Sequence, residues 1–459
     1  MAPMVGKWHD AVVRALADRL TKAIARLATF GWFRVIETEG LERIPRVGPA
    51  ILAANHHGGF VDPALLMAVS PRPVRFLAMA RLWKIWPLRP LLALAGAIPV
   101  RRSRDGDTRG NVDAFAACHE VLRRDGVIGI FPEGEASDAP HVLPVRTGTA
   151  RIALGARAYG AVGLRVVPVG LIYEDKQDAR SRAYVRVGKP IDVDVLPPGD
   201  DSERSLVERL TADIEDGLAA AAVDFESAEQ QVALRFAAKV ALRWEDADPR
   251  GRPPVGEVER LADRLGRSPD VVVPPADAYR EALVAAGVPD DVVAPGAIDT
   301  YRRRGRPGWL LALAATPFAL VGAVANALPM LGLYAVGRRR MTPVTRATAK
   351  FLTALVLFLA NWLALRYWLL ADGSRPWLAT LVVGPLCGLV AIWLVARWIR
   401  ARRARLGIRR LVGERSALHE LQQRREAVVD AVRDVVGDAR FAARPPRPST
   451  SIEEFDYLR

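Results

Sequence analysis

The sequence has few of the residues from which disulfide frameworks and metal centres are built. Only Cys118 and Cys387 could pair among 459 residues, and they lie in regions of different composition. This cysteine usage predicts a reducing compartment and no structural disulfide. The chain also lacks a Cys-x-x-Cys motif and a histidine-rich cluster. We therefore expect neither a metal ion nor a bound cofactor.

The first thirty residues lack the uninterrupted apolar segment of a secretory signal peptide. Charged side chains such as Asp10, Arg14 and Asp18 interrupt it, so no cleaved leader is expected. Residues 1–30 instead show apolar side chains at helical spacing, namely Val12, Leu16, Leu20, Ile24 and Leu27. This pattern predicts an amphipathic helix that either packs on the following domain or lies in a membrane interface.

Acidic residues are outnumbered by basic ones. The 65 Lys and Arg against 51 Asp and Glu give a formal charge of +14 and a pI near 10.3, which predicts a negatively charged partner. Most arginine clusters flank apolar segments and lack the interleaved aromatics that stack on bases. The sequence therefore favours membrane lipids as partners and argues against nucleic acid.

Three apolar segments within residues 307–400 are long enough to cross about 30 Å of hydrocarbon at about 1.5 Å per residue. They cover residues 309–335, 351–371 and 377–398. Arginines flank all three, whereas the short link at 371–376 is nearly uncharged. The positive-inside rule then predicts a transmembrane hairpin at 351–398 with 371–376 outside. Because the first segment has basic flanks on both sides, we expect it to dip into the membrane rather than cross it. Pro317 and Pro329, with Asn326 between them, are expected to break it into a re-entrant or interfacial helical pair.

Residues 31–200 alternate short apolar runs with helical stretches, which predicts an α/β domain with its functional side chains in loops after the strands. The predicted strands are 50–54, 74–79, 127–131, 165–173 and 184–188, and the predicted helices are 63–69, 110–124 and 147–158. Residues 201–306 are predicted as a helical linker module without recognisable chemistry, 401–441 as a charged helix and 442–459 as a disordered tail.

The stretch from Asn55 to Pro63, NHHGGFVDP, follows the first of these strands. It places His56 and His57 six and five positions before Asp62. Glycines at the end of a strand let the chain turn, so the carboxylate can fold back onto an imidazole. A carboxylate bonded to one ring nitrogen leaves the other free to remove a proton from a hydroxyl. The stretch therefore predicts a general base and the group that orients it.

Three further blocks follow in order: GAIPVRR from Gly96 to Arg102, FPEG from Phe131 to Gly134, and VVPVGL from Val166 to Leu171. Together with NHHGGFVDP they resemble the glycerophosphate and lysophospholipid acyltransferase family, the PlsC type. The region after FPEG is most similar to that of fungal-type glycerol-3-phosphate acyltransferases, through Asp138, Leu143, Pro144 and Gly148. The Thr-Arg pair that often follows FPEG in the lysophosphatidate branch is Glu135-Ala136 here.

The resemblance covers about residues 30–200 and implies a membrane-bound acyltransferase with acyl-CoA or acyl carrier protein as co-substrate. The usual spacing, counted back from Asp62, selects His57 as the base. The longer gap often found in the fungal-type branch selects His56, which we favour, with Asp62 as its orienting carboxylate. The implied acceptor-binding and supporting residues are Arg101, Arg102, Glu133, Gly134, Arg146 and Asn55. The expected acceptor is glycerol-3-phosphate or its 1-acyl derivative; alternatives are a non-phosphate lyso-lipid acceptor and a catalytically idle membrane scaffold.

Overall fold

The computed structural model describes residues 2–86, 88–101, 111–195, 203–245, 252–294, 305–370, 384–413 and 415–437. Within it the chain forms two compact units. The first combines residues 1–224 with 340–352, and the second combines 225–339 with 353–459. The link at 371–376 and the tail at 442–459 lie outside the described residues.

The first unit is built on an eight-stranded sheet in which most neighbouring strands are parallel. Seven strands follow the order β1-β7-β6-β2-β5-β3-β4, and β8 pairs with β6. Among the strands in the described residues, only the pairings of β6 with β7 and β8 are antiparallel. The strands are β1 Phe33–Glu39, β2 Ala50–Ala54, β3 Val74–Met79, β4 Ile98–Val100, β5 Val127–Ile130, β6 Arg165–Tyr173, β7 Ser181–Val187 and β8 Ile191–Asp192. The predicted α/β class is confirmed, and β7 begins three residues earlier than expected.

Six helices accompany this sheet in the described part of the first unit. They are α1 Ala2–Trp32, α2 Val61–Val69, α3 Arg89–Leu94, α4 Asn111–Arg123, α5 Gly148–Ala158 and α6 Glu203–Ala221. The sequence pattern predicts α6 as part of the linker module, but the helix packs into the core beside β6. The reason is an apolar stripe at helical spacing, whose members Val207, Leu210, Ile214 and Leu218 are buried in that core.

Strand β2 holds the centre of the sheet because all five of its residues are apolar and buried. Its neighbours β5 and β6 both run parallel to it. The carboxyl ends of these three strands therefore meet at one edge of the sheet. Asn55 and His56 follow β2 at that edge, and Phe131 follows β5.

Helix α1 packs on the first unit through one face of its C-terminal half. Ala25, Thr29 and Trp32 on that face are buried, whereas other apolar side chains of the same helix, Leu16, Leu20 and Leu27 among them, are exposed. The outward stripe remains apolar surface that the unit itself does not cover.

The second unit is helical throughout its described residues. Its elements are α7 Ala228–Glu245, α8 Val255–Leu265, α9 Pro269–Ala286, α10 Asp290–Val293, α11 Gly305–Ala325, α12 Ala327–Gly337, α13 Pro343–Leu370, α14 Gly384–Gly413 and α15 Arg415–Val436. Helix α13 supplies its first residues to the first unit and the remainder to this one. The start of the predicted helical module at 201–306 forms two separate helices, α6 and α7. Ser227 caps α7 by accepting a hydrogen bond from the Gln230 N–H at 3.1 Å, so a new helix begins there.

Among the described residues, two helices are long and apolar enough to cross a membrane, at Pro343–Tyr367 and Gly384–Leu411. A third apolar segment is bent by 67° between α11 and α12, at the Asn326 position where the sequence predicts a break. The Asn326 amide donates to the Gly322 carbonyl at 2.8 Å and accepts from the Trp362 indole at 3.0 Å. Asn361 donates to the Ala325 carbonyl at 2.9 Å. The Asn361 side chain thus satisfies the Ala325 carbonyl, which cannot bond to residue 329 in helical fashion because that residue is a proline without an N–H.

A buried ionic cluster joins four helices of the second unit, α7, α9, α10 and α15. Asp290 accepts hydrogen bonds from Arg425 at 2.9 Å, from Arg243 at 2.8 Å and from the Tyr279 hydroxyl at 2.8 Å. The side chains of Asp290 and Arg425 are only 5% and 1% exposed. Burial alone raises the pKa of Asp290, but the two arginines outweigh it and hold that pKa below its usual value.

We expect Asp290→Asn to lower the free energy of unfolding of the second unit by about 3–5 kcal/mol, because it leaves buried guanidinium charge uncompensated. Because the pKa of Asp290 is lowered in the folded protein, the ionised carboxylate stabilises the folded state. This stabilisation is complete above the pKa of an unfolded aspartate and is lost as the pH falls through the folded-state pKa. Thermal unfolding in detergent, followed as a function of pH, measures the loss of stability and its pH dependence.

Arg424→Met is the control, because it removes a partly exposed ion pair to Glu420 on the same helix. It should change the free energy of unfolding by about 0–1 kcal/mol. Equal melting temperatures for the two variants would contradict the prediction.

Candidate active site

The loop after β2 is held to the sheet by Asn55. Its side-chain amide donates to the Leu171 carbonyl at 3.1 Å, and its oxygen accepts from the Leu171 N–H at 2.6 Å. Because Leu171 lies on β6, this pair of bonds fixes the point at which the chain leaves β2. The histidines that follow therefore start from a rigid position.

Asp62 lies at the start of α2 and pairs with His56. Its Oδ2 is 2.7 Å from His56 Nδ1, with 16% of the histidine side chain exposed and none of the aspartate. The Gly58 N–H also donates to both carboxylate oxygens, at 3.0 and 2.8 Å. A buried carboxylate held by these donors has a fixed position and orients the ring. No hydrogen bond in the described part of the chain uses His56 Nε2.

The ring of His56 is also fixed by an aromatic stack. It lies 4.1 Å from the ring of Phe131 at an interplanar angle of 13°, and Phe131 in turn stacks on Phe76. The imidazole is thus clamped between its carboxylate and an aromatic face. This leaves Nε2 as the nitrogen that can meet a substrate.

His57 has a different environment. Its Nδ1 lies 3.1 Å from the Ser137 carbonyl oxygen, to which it can only donate. Burial lowers the pKa of His57, so the ring is neutral near pH 7. Its backbone carbonyl accepts from Lys176 Nζ at 2.8 Å. The geometry therefore pairs Asp62 with His56 and ties His57 to the loop that contains Ser137.

Glu133, from the FPEG block, lies beneath the same loop. Its Oε1 accepts from the His56 backbone N–H at 2.9 Å, and the residue is 2% exposed. Burial raises the pKa of Glu133 to about 7. Within the described residues its Oε2 has no hydrogen-bond partner. Glu133 thus holds the backbone of His56. With a pKa of about 7, its carboxyl group is present in both the protonated and the ionised form at neutral pH.

The other predicted substrate-binding residues are only partly brought together. Gly134 has φ +76°, and a Cβ there would lie 3.0 Å from Arg146 Nε, so the absence of a side chain admits the guanidinium. Arg101 is exposed at the end of β4, where Asn111 bonds both its N–H and its carbonyl. Arg102 lies outside the described residues.

Sequence reasoning missed Tyr173, the last residue of β6. It is buried and its hydroxyl donates to Asp62 Oδ1. Burial, followed by the charge of Asp62, raises the pKa of this hydroxyl well above its usual value. It therefore remains a donor throughout the physiological range. A signal was present, because β6 runs parallel to β2 and ends at the same sheet edge, where polar side chains reach the site.

We expect Tyr173→Phe to lower kcat by about 5- to 20-fold, because it removes one hydrogen bond to a charged group. Without this donor the Asp62 carboxylate stabilises a protonated His56 more strongly. The acid limb of the pH–rate profile should therefore move to higher pH. The measurement is kcat against pH for the purified variant, with Tyr159→Phe, a change at an exposed tyrosine stacked on His119, as the control. An unchanged profile in Tyr173→Phe would show that its hydroxyl does not act on the dyad.

Comparison with known proteins agrees with the motifs. Residues 35–172 match the family model described as Acyltransferase. Glycerol-3-phosphate O-acyltransferase 2 of Saccharomyces cerevisiae is 42% identical over 85 residues, which are 18% of this chain and 11% of the relative. The 1-acyl-sn-glycerol-3-phosphate acyltransferase alpha of Homo sapiens is 26% identical over 174 residues, 36% of this chain and 58% of the relative. The crystal structure of PlsC, a 1-acyl-sn-glycerophosphate acyltransferase from Thermotoga maritima, has 20% identity and a TM-score of 0.36 over 46% of this chain and 82% of that chain.

The resemblance inferred from the four blocks is thereby confirmed, and residues 35–172 form an acyltransferase-family domain. The chain spans less than two thirds of the length of the yeast and human relatives. The second unit lies wholly outside the family match, which ends at residue 172.

Proposed function

We propose that this chain, through the acyltransferase domain at residues 35–172, transfers a fatty acyl group from a thioester donor to a hydroxyl of a glycerophosphate acceptor. The observation that carries the proposal is the His56–Asp62 pair, with Nδ1 and Oδ2 2.7 Å apart and Nε2 unused in the described residues. A base oriented in this way fits the removal of a proton from an alcohol.

In the proposed reaction the acceptor hydroxyl oxygen attacks the thioester carbonyl carbon while His56 Nε2 removes the hydroxyl proton. Asp62, hydrogen-bonded to Nδ1, stabilises the imidazolium that forms. The tetrahedral intermediate then collapses, the C–S bond breaks, and the imidazolium returns its proton to the thiolate. The products are an ester and a free thiol, and no covalent acyl-enzyme is needed because the thioester is already activated.

The acceptor is proposed to carry a phosphate. Two of the relatives are named for glycerol-3-phosphate and 1-acyl-glycerol-3-phosphate acylation, and Arg146 lies over Gly134 of the FPEG block. Guanidinium groups suit phosphate oxygens because their donors form a planar fork. Arg101 and Arg102 are the further candidates for this contact. Glu133 is proposed to position the loop after β2 by accepting a hydrogen bond from the His56 backbone N–H.

The enzyme is proposed to act on the inner face of a bacterial membrane, with membrane lipids as neighbours and acyl-CoA or acyl carrier protein as donor. Two candidate spanning helices support membrane attachment. The apolar stripe on α1, exposed on the first unit, is suited to a membrane interface. Basic residues near the spans, such as Arg338 and Arg339, would bind anionic head groups.

An acyl-transfer assay on the detergent-solubilised full chain tests the proposal. Radiolabelled glycerol-3-phosphate and 1-acyl-glycerol-3-phosphate are supplied separately, each with acyl-CoA and with acyl carrier protein as donor. We expect an acylated phospholipid product from one acceptor in preference to the other. Folded protein that acylates neither acceptor with either donor would overturn the proposal.

A further inference from the structure

Thirteen residues from the distant C-terminal half complete the first unit. Residues 340–352, here called the strap, belong to the same compact unit as residues 1–224. From Pro343 the strap is the beginning of α13, whose stretch Pro343–Tyr367 is a candidate membrane span. The family match ends at residue 172, so the strap is a feature of this chain outside that match.

The strap contacts the turn that connects the two histidines to Asp62. The Phe60 N–H donates to the Thr348 hydroxyl oxygen at 3.1 Å. Phe60 directly precedes α2, whose first turn contains Asp62. Thr348 thus satisfies one of the N–H groups at the start of that helix, which have no partner within it.

Gly59 shows how closely the strap approaches this turn. It has φ +63°, and a Cβ there would overlap the Thr348 hydroxyl and lie 3.2 Å from Val344 Cγ1. The glycine is therefore required twice, for its backbone conformation and for the space that the strap occupies. A turn with this conformation and this neighbour has little freedom to move.

The strap is also held by loops that flank the site. Val344 N–H lies 3.4 Å from Asp138 Oδ2, and Asp138 Oδ1 pairs with Lys176 at 2.5 Å. Lys176 is the residue that also donates to the His57 carbonyl. Both histidines are therefore linked to the strap. His56 is linked through Asp62 and the turn at Phe60, and His57 is linked through Lys176 and Asp138.

Further contacts anchor the strap at its other end. Arg346 donates to the Gln177 side chain and Lys350 to the Gln177 carbonyl, both at 3.1 Å. Ala347 is fully buried, and Phe351 packs edge-on against Trp32 with ring centroids 5.6 Å apart. Buried apolar contact, together with polar contacts on three loops, holds the strap against the first unit.

We propose that the strap is a positioning element of the catalytic site and that Thr348 is its positioning residue: the Thr348 hydroxyl holds the Gly58–Phe60 turn so that Asp62 keeps His56 in its reactive orientation. Thr348 touches no reacting atom and acts through Asp62, whose carboxylate also accepts from the Gly58 N–H. The proposal rests on the proposed acyl transfer for its catalytic consequence, whereas the docking of the turn is a structural statement.

The test compares three variants of the full-length protein in detergent. Thr348→Val keeps the shape and removes the hydroxyl, Thr348→Ser restores a hydroxyl, and Thr345→Val is an exposed control one turn away. We expect Thr348→Val to lower kcat about five- to tenfold with an unchanged acceptor KM, which is the scale of one lost hydrogen bond. Thr348→Ser should keep most of the wild-type kcat, and Thr345→Val all of it.

Amide hydrogen exchange of the peptide that covers residues 56–62 gives a second readout that does not depend on activity. We expect faster exchange in Thr348→Val than in the wild type and in Thr345→Val. Unchanged exchange in Thr348→Val would overturn the docking, and faster exchange with an unchanged kcat would overturn the positioning role. Wild-type protein without acyl transfer would refute the proposed function alone, because the exchange experiment still decides whether the strap holds the turn.

Discussion

His56→Ala protein should fold and lose acyl transfer, with kcat lowered roughly 10²–10⁴-fold, the usual contribution of a general base. The loss is expected in kcat because the base acts on the proton that moves in the transition state. The measurement is the steady-state rate with the acceptor that the wild type prefers. The melting temperature of the same sample shows whether the Phe131 stack is needed for folding.

His57→Ala is the matched control, since it removes a neighbouring imidazole from the same loop. His57 is bonded through Nδ1 to the Ser137 carbonyl and lies outside the Asp62 contact. We expect its kcat to stay within about tenfold of wild type, a loss on the scale of one loop hydrogen bond. A large loss in His57→Ala together with an active His56→Ala would assign the base to His57 and refute the proposed mechanism.

Asp62→Asn should produce the second large effect, again a roughly 10²–10⁴-fold loss of kcat, because the ring is no longer held with Nε2 as its basic nitrogen. Asp62 receives donors from His56, Gly58 and Tyr173. An asparagine amide offers only one acceptor oxygen and brings N–H groups against donors. We therefore also expect a fall of about 1–3 kcal/mol in the free energy of unfolding.

The double variant Asp62→Asn/Tyr173→Phe separates these two effects. If Tyr173 acts on catalysis through Asp62, its removal should cost little further kcat once Asp62 has been replaced. The double variant also lacks the Tyr173 hydroxyl, which would otherwise meet an N–H group of the asparagine. The free energy of unfolding should therefore recover in part relative to Asp62→Asn. Fully additive losses of kcat would contradict a shared role for the two residues.

The parts of the fold that the sequence specifies locally were predictable. Strands 50–54, 74–79 and 165–173 occur with the predicted bounds, because short apolar runs next to turn residues have few alternatives to a buried strand. The break between α6 and α7 was missed, although Ser227 and Gln230 at a capping spacing mark a helix start. The histidine block was recognised because its chemistry lies within eight residues.

The contacts that complete the site could not be predicted in the same way. Tyr173 and Asp62 are 111 positions apart, and Thr348 and Phe60 are 288 apart. Neither periodicity nor motif spacing contains information about such pairs, because they depend on how strands and helices assemble. The sequence assigned Thr348 to the flank of a membrane segment, and only the packing of the first unit shows that it reaches the catalytic turn.

Because the strap follows the rest of the first unit by many residues, the ribosome makes it late, and the first unit cannot be completed before then. Residues 1–224 leave the ribosome before the strap, with about 115 residues in between, and at about 5–20 residues per second that interval lasts roughly 6–25 s. During that time the turn at Phe60 lacks its Thr348 partner. If the strap has its proposed role, the turn before Asp62 is fixed only once the first residues of the candidate span have been made, and the newly made domain would not gain full activity earlier.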